Sequence, residues 1–127
     1  RERLVQAEPD RADYQSELVS SLQREASIAV SEQRPADAVA ALERALAISE
    51  RLVSASPDLV VARISVANTC VLLARLAPER AVALLQRAYE EFAALDRERR
   101  LPEDERKKLD FLRGMLAEAR RGRRGVG

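Results

Sequence analysis

The side chains that ordinarily carry chemistry are nearly missing from this chain. It has no histidine and a single cysteine, Cys70. The commonest general base and metal ligand is therefore gone, and one thiol without a histidine is poor material for a nucleophile or a zinc site. Phosphate-cradling glycine motifs are excluded as well, because no glycine precedes Gly114. Adjacent acids occur at Glu90-Glu91 and at Glu103-Asp104-Glu105. Neighbours in sequence point apart on a helix, so these acids read as solvated surface rather than as a paired acid and base. Cys70 falls at an apolar helix position and reads as a small core residue. What remains is the chemistry of arginine, whose guanidinium fork suits carboxylates and phosphates. The expectation is no enzyme, no cofactor and no metal within these residues, with any catalytic activity of the parent protein lying outside them.

The elements that would position those arginines follow from composition. The chain has 127 residues, 46% hydrophobic and 34% charged, with five prolines and four glycines. Ala, Leu, Arg and Glu dominate, the mix of amphipathic helices packed through small residues. No run approaches the ~20 apolar residues of a membrane span, and no signal peptide is visible at the start, which is Arg1 rather than Met. The chain reads as a fragment of a longer cytoplasmic protein. The net charge is +1, but residues 97–127 carry 11 basic and 6 acidic side chains while residues 1–96 carry 11 and 15. The electropositive end is thus the C-terminal one.

One phrase is written twice. ERLVQAEPD at residues 2–10 returns as ERLVSASPD at residues 50–58, with seven of nine letters kept. Further on, Pro35-Ala36-Asp37-Ala38-Val39 is matched by Pro78-Glu79-Arg80-Ala81-Val82, and Leu42 and Arg44-Ala45 by Leu85 and Arg87-Ala88. A weaker third beginning stands at Leu101-Pro102-Glu103-Asp104. Each unit reads as two helices opened by proline, which fits a first turn and disrupts a helix interior. Apolar residues at Tyr14, Leu18, Leu22, Ala26, Ala29 and Val30 predict a first helix over about 11–33. Val39, Leu42, Leu46 and Val53 predict a second over about 36–55. A third helix starts after Pro57-Asp58, a fourth at Pro78 through Val82, Leu85, Tyr89 and Phe92, and a last after Pro102 through Leu109, Leu112, Leu116 and Ala119. The expected plan is all-α, with residues 1–8 ending a preceding helix, unit 1 over 9–56, unit 2 over 57–100, a closing helix over 101–121 and a flexible basic tail over 122–127.

In its small and large positions the repeat resembles the tetratricopeptide repeat family. Ala38-x3-Leu42 followed by Ala45, and Ala81-x3-Leu85 followed by Ala88, match the second half of the family's unit, and Ala26 stands twelve residues before Ala38. The first half is degenerate, with Leu22, Glu25 and Ala29 in unit 1, Cys70, Leu73 and Ala77 in unit 2, and Met115, Glu118 and Gly122 in the last helix. The unit is also longer, at 43–48 residues against the family's ~34. The resemblance implies antiparallel helical hairpins stacked as a short α-solenoid of about five long helices, because one hairpin cannot bury its apolar face alone. It also implies a non-catalytic scaffold of the sort attached to bacterial signalling proteins.

In that family the groove is lined mainly by the first helix of each hairpin. Carried over by position, the groove residues are Ser20, Gln23 and Ser27 in unit 1, Asn68, Val71 and Arg75 in unit 2, and Arg113, Leu116 and Arg120 in the last helix. The groove so drawn turns basic toward its end, which implies a protein partner, an acidic peptide or helix. Two other readings stand beside it. A helical bundle could serve as a dimerisation or regulatory module, self-associating or docking on other domains of the same chain, through Val39, Val60, Val61 and Leu76 where these are exposed. Arg120-Arg121-Gly122-Arg123-Arg124 could contact nucleic-acid phosphate, but no aromatic follows Phe111 to stack on bases, and the near-zero net charge argues against it.

Overall fold

Proline sets the helix starts. In the computed structural model, which describes the backbone of residues 2–126 and the side chains of residues 13–122, five α-helices follow one another: α1 (Glu2–Ser31), α2 (Pro35–Ala55), α3 (Val60–Leu76), α4 (Ala81–Arg97) and α5 (Glu103–Val126). Pro35 is the first residue of α2, and Pro78 opens a 3-10 turn, Pro78–Arg80, that runs into α4. Pro102 stands immediately before α5, and Pro57 lies in the turn leading to α3. At each of these places the missing N–H and fixed φ cost nothing. Among the described residues there is no strand.

Two boundaries differ from the plan read in the sequence. A break was expected between residues 8 and 9, yet α1 runs through Pro9 as one helix of 30 residues. A proline inside a helix forfeits one hydrogen bond and crowds the carbonyl four residues back, yet the helix continues past it. Helix α5 also runs on to Val126, past residue 121 where the closing helix was expected to end.

The helix ends are built by a device the sequence does not advertise. After α1, the Arg34 N–H donates to the Ala29 carbonyl at 2.7 Å and the Gln33 N–H to the Val30 carbonyl at 3.0 Å. After α4, the Arg100 N–H donates to Leu95 at 2.8 Å and the Arg99 N–H to Asp96 at 3.0 Å. Both are Schellman turns, which satisfy the last carbonyls of a helix when one residue adopts the left-handed conformation. Glycine is the usual occupant, but here Gln33 takes φ 60° and Arg99 φ 59°. Behind the first turn, the Arg34 guanidinium pairs with Glu32 and with Asp37 in the first turn of α2. The Glu32 hydrogen bond, then that of Asp37, holds its pKa above the ordinary arginine value.

The chain divides into two compact units, Arg1–Ser65 and Val66–Gly127. In the first, α1 packs on α2. Val19, Leu22, Ala26 and Ala29 of α1 are buried, as are Ala38, Ala41, Leu42, Ala45 and Ile48 of α2. The alanines let helix backbones approach and the leucines fill the spaces between them. Ser49 is fully buried among these, and its hydroxyl has no hydrogen-bond partner, a cost that an apolar residue of the same size would avoid. The expected stripe fails at its ends, because Tyr14 is 65% and Val30 48% exposed. In the second unit, α4 packs on α5. Its core holds Phe92, Leu95, Leu85 and Ala88 of α4, Leu112 and Leu116 of α5, and Val66, Cys70 and Leu73 of α3.

Gly114 sits in the interior of α5, where a Cβ would meet nothing within 4 Å. Glycine there costs about 1 kcal/mol relative to alanine, and nothing in the chain's own packing requires it.

The left-handed residues give a direct test. Such a conformation costs a non-glycine residue about 1–2 kcal/mol, of which glycine returns part through its freer unfolded state. Gln33→Gly and Arg99→Gly should each raise the melting temperature by about 2–6 °C, measured by circular dichroism. An unchanged or lowered midpoint in both would show that the side chains at these positions contribute more than the backbone strain removes.

Candidate functional site

Of the sites drawn from the sequence, three lie together on α3. Asn68, Val71 and Arg75 are spaced three and four apart and so share one stripe of α3. Asn68 and Val71 are half-buried and Arg75 is exposed. The helix beside this stripe is α5, because the Lys108 ammonium donates to the Asn68 side-chain oxygen at 3.2 Å. Lys108 is held from its own helix by Glu105, one turn earlier, at 2.6 Å. Two turns beyond Lys108, Met115 is half-buried on the same flank of α5. The result is a polar and apolar strip in which Asn68, Lys108, Val71, Met115 and Arg75 can all be reached.

The other two candidates on α5 face elsewhere. Arg106, Arg113 and Arg120 recur every seven residues, so they form a single row along the helix. Their partners descend α4 in the opposite direction. Arg106 pairs with Asp96 at 3.2 Å, Arg113 donates to the Tyr89 hydroxyl at 3.1 Å, and Arg120 donates to Gln86 at 2.7 Å. The order of contacts makes α4 and α5 antiparallel. The Arg113 guanidinium also stands 5.7 Å from the Tyr89 ring centre, a cation–π distance. The Tyr89 hydrogen bond is the main reason its pKa lies above the ordinary arginine value, with Asp110 adding to it. Arg113 and Arg120 thus lie on the α4 side of α5, whereas Lys108 marks the α3 side.

Leu116 requires a correction. It is 6% exposed and belongs to the core with Leu112, so it lines no groove. The physical reason is register. The buried face of α5 is centred on Leu112 and Leu116, and residues 113 and 120 fall on one flank of that face, about 100° away per residue. Counting from Ala119 as the small position placed all three candidates at once, and a row flanking a core cannot include a residue within it.

In the first unit, Ser20 and Ser27 are exposed and Gln23 is half-buried on α1. Ser20 lies with Ser16, Glu17, Ser21 and Arg24 along an open polar hollow. Those five residues come from little more than two turns of one helix, whose convex surface cannot enclose a ligand. They lie on the side of α1 turned away from the buried row of Leu22, Ala26 and Ala29. The residue that the sequence reading missed is Lys108. Its signal was its place on the rim of the apolar stripe of α5, three residues after Glu105 and four before Leu112.

Among the described residues, no cluster of three or more His, Cys, Asp or Glu side chains could hold a metal ion. No helix there is long and apolar enough to cross a membrane. Comparison of the chain with models of known families, with curated proteins and with solved structures finds no match.

The two assignments on α5 are separable by stability. Leu116→Ala should cost about 2–4 kcal/mol in urea unfolding, as a buried leucine does. Arg113→Ala should leave the unfolding midpoint nearly unchanged, because exposed polar contacts contribute little. A large loss for Arg113→Ala with none for Leu116→Ala would reverse the assignment.

Proposed function

We propose that the chain is a non-catalytic protein-interaction domain, a short tetratricopeptide-like α-solenoid belonging to a larger cytoplasmic signalling or regulatory protein. In this reading α1–α2 and α3–α4 are hairpins and α5 is the closing helix. The observation that carries it is the Lys108–Asn68 hydrogen bond, which sets α5 beside α3 while α4 lies antiparallel to α5. Stacked hairpins place their successive first helices side by side in this way and expose a strip between them for a partner. The strip here offers hydrogen-bonding groups at Asn68 and Lys108, apolar surface at Val71 and Met115, and a guanidinium at Arg75. Its partner is an acidic peptide or helix segment, whose carboxylates meet Arg75 and whose apolar residues cover Val71. Arg113 and Arg120 hold α5 to α4 and take no direct part.

Capture of binding proteins by the immobilised chain tests this, with Arg75→Glu and an Arg113→Glu/Arg120→Glu double variant alongside. The expected result is a specific acidic partner retained by the wild type and by the double variant, and lost with Arg75→Glu. Equal retention by all three would place the binding surface off α3. Loss only in the double variant would return the site to the arginine row on α5.

A further inference from the structure

The far side of α5 carries a pattern that neither the core nor the α3 strip uses. Asp104, Lys107, Phe111, Gly114, Glu118 and Arg121 recur at alternating spacings of three and four, so they form one continuous stripe. All six are exposed. Phe111 is 59% exposed, an aromatic ring presented to solvent in the middle of a strongly polar helix. Gly114, the next member of the stripe, has open space where a side chain would stand. A ring and a gap one turn apart are a knob and a hole on the same surface.

The charges make the stripe complementary to itself. From N- to C-terminus it reads acid, base, phenylalanine, glycine, acid, base. Inverted end to end, acid meets base and ring meets gap at every position. We infer that this face pairs with a second copy of the chain, α5 against α5 and antiparallel, about a two-fold axis passing between Leu112 and Arg113. In that register Asp104 lies opposite the partner's Arg121, Lys107 opposite the partner's Glu118, and Phe111 enters the space over the partner's Gly114. The same contacts repeat on the other side of the axis, as two-fold symmetry requires. A register centred on Phe111 itself would set Asp104 against the partner's Glu118, and like charges there disfavour it. Glycine lets the second backbone approach closely, which gives Gly114 the purpose that the chain's own packing does not. A single pair of helices lies at the small end of interface sizes, so the dimer is weak and concentration-dependent. It is independent of the proposed α3 strip, and Arg75→Glu leaves it intact.

Sedimentation equilibrium of the whole chain over a range of concentrations tests this pairing. The wild type should show reversible monomer–dimer exchange. Gly114→Gln adds a good helix former in open space, so the monomer stays folded by circular dichroism, while the dimer weakens at least about tenfold. Phe111→Ser should weaken it similarly. Lys107→Glu alone and Glu118→Lys alone should each weaken association, and the two together should restore it to within about threefold of the wild type. A monomer mass up to millimolar concentration would overturn the inference, as would a dimer indifferent to Gly114→Gln. Failure of the charge reversal to restore association would overturn the antiparallel register.

Discussion

A helix that buries one face must be met by another helix within a few residues of its end, and in this chain the requirement falls on Gln33 and Arg99. Each takes the left-handed conformation that reverses the backbone and closes the last carbonyls of the helix before it. Without the reversal after α1, the row from Val19 to Ala29 would have nothing to pack against. Without the reversal after α4, Phe92 and Leu95 would lose the cover of α5. Proline completes both turns, at Pro35 and Pro102, by fixing φ where the next helix starts. The tertiary structure of each unit hangs on short connections rather than on long-range pairing, a topology of local contacts that favours rapid folding.

The row of arginines on α5 shows how position can be set without much energy. Arg106, Arg113 and Arg120 are exposed, and exposed pairs add little to stability. Their partners, however, are Asp96, Tyr89 and Gln86, three different groups in a fixed order. Sliding α5 by one turn would break all three contacts at once. The buried leucines supply the attraction between α4 and α5, and the polar row selects the register. On the opposite flank, the Lys108–Asn68 hydrogen bond does the same for α5 against α3.

Helix starts were legible in the sequence because proline marks them with an unambiguous physical rule, and four of the five prolines obey it. Pro9 did not, since it lies inside α1, where proline ordinarily costs about 3 kcal/mol. Helix ends were less legible, because the left-handed residues are glutamine and arginine where glycine would have announced them. The core was readable at Leu22, Ala26, Ala38 and Leu42, all buried. It failed at Tyr14 and Val30 for a geometric reason: each step of four residues turns about 40° past the full circle, so a row extended two steps from Leu22 in either direction walks off the buried face. On α5 a different step misled: counting three residues back from Ala119 put the buried Leu116 into a groove. On α3, Asn68, Val71 and Arg75 lie on the side of the helix away from the buried row through Val66, Cys70 and Leu73.

The burial of Cys70 has a practical consequence. The chain holds one thiol, and it is 1% exposed in the middle of α3. A thiol reagent in solution can reach it only when the packing around α3 gives way, so the rate of alkylation under native conditions counts openings of that core. The protein therefore carries its own clock for local unfolding, readable by mass at a single atom without any engineered label.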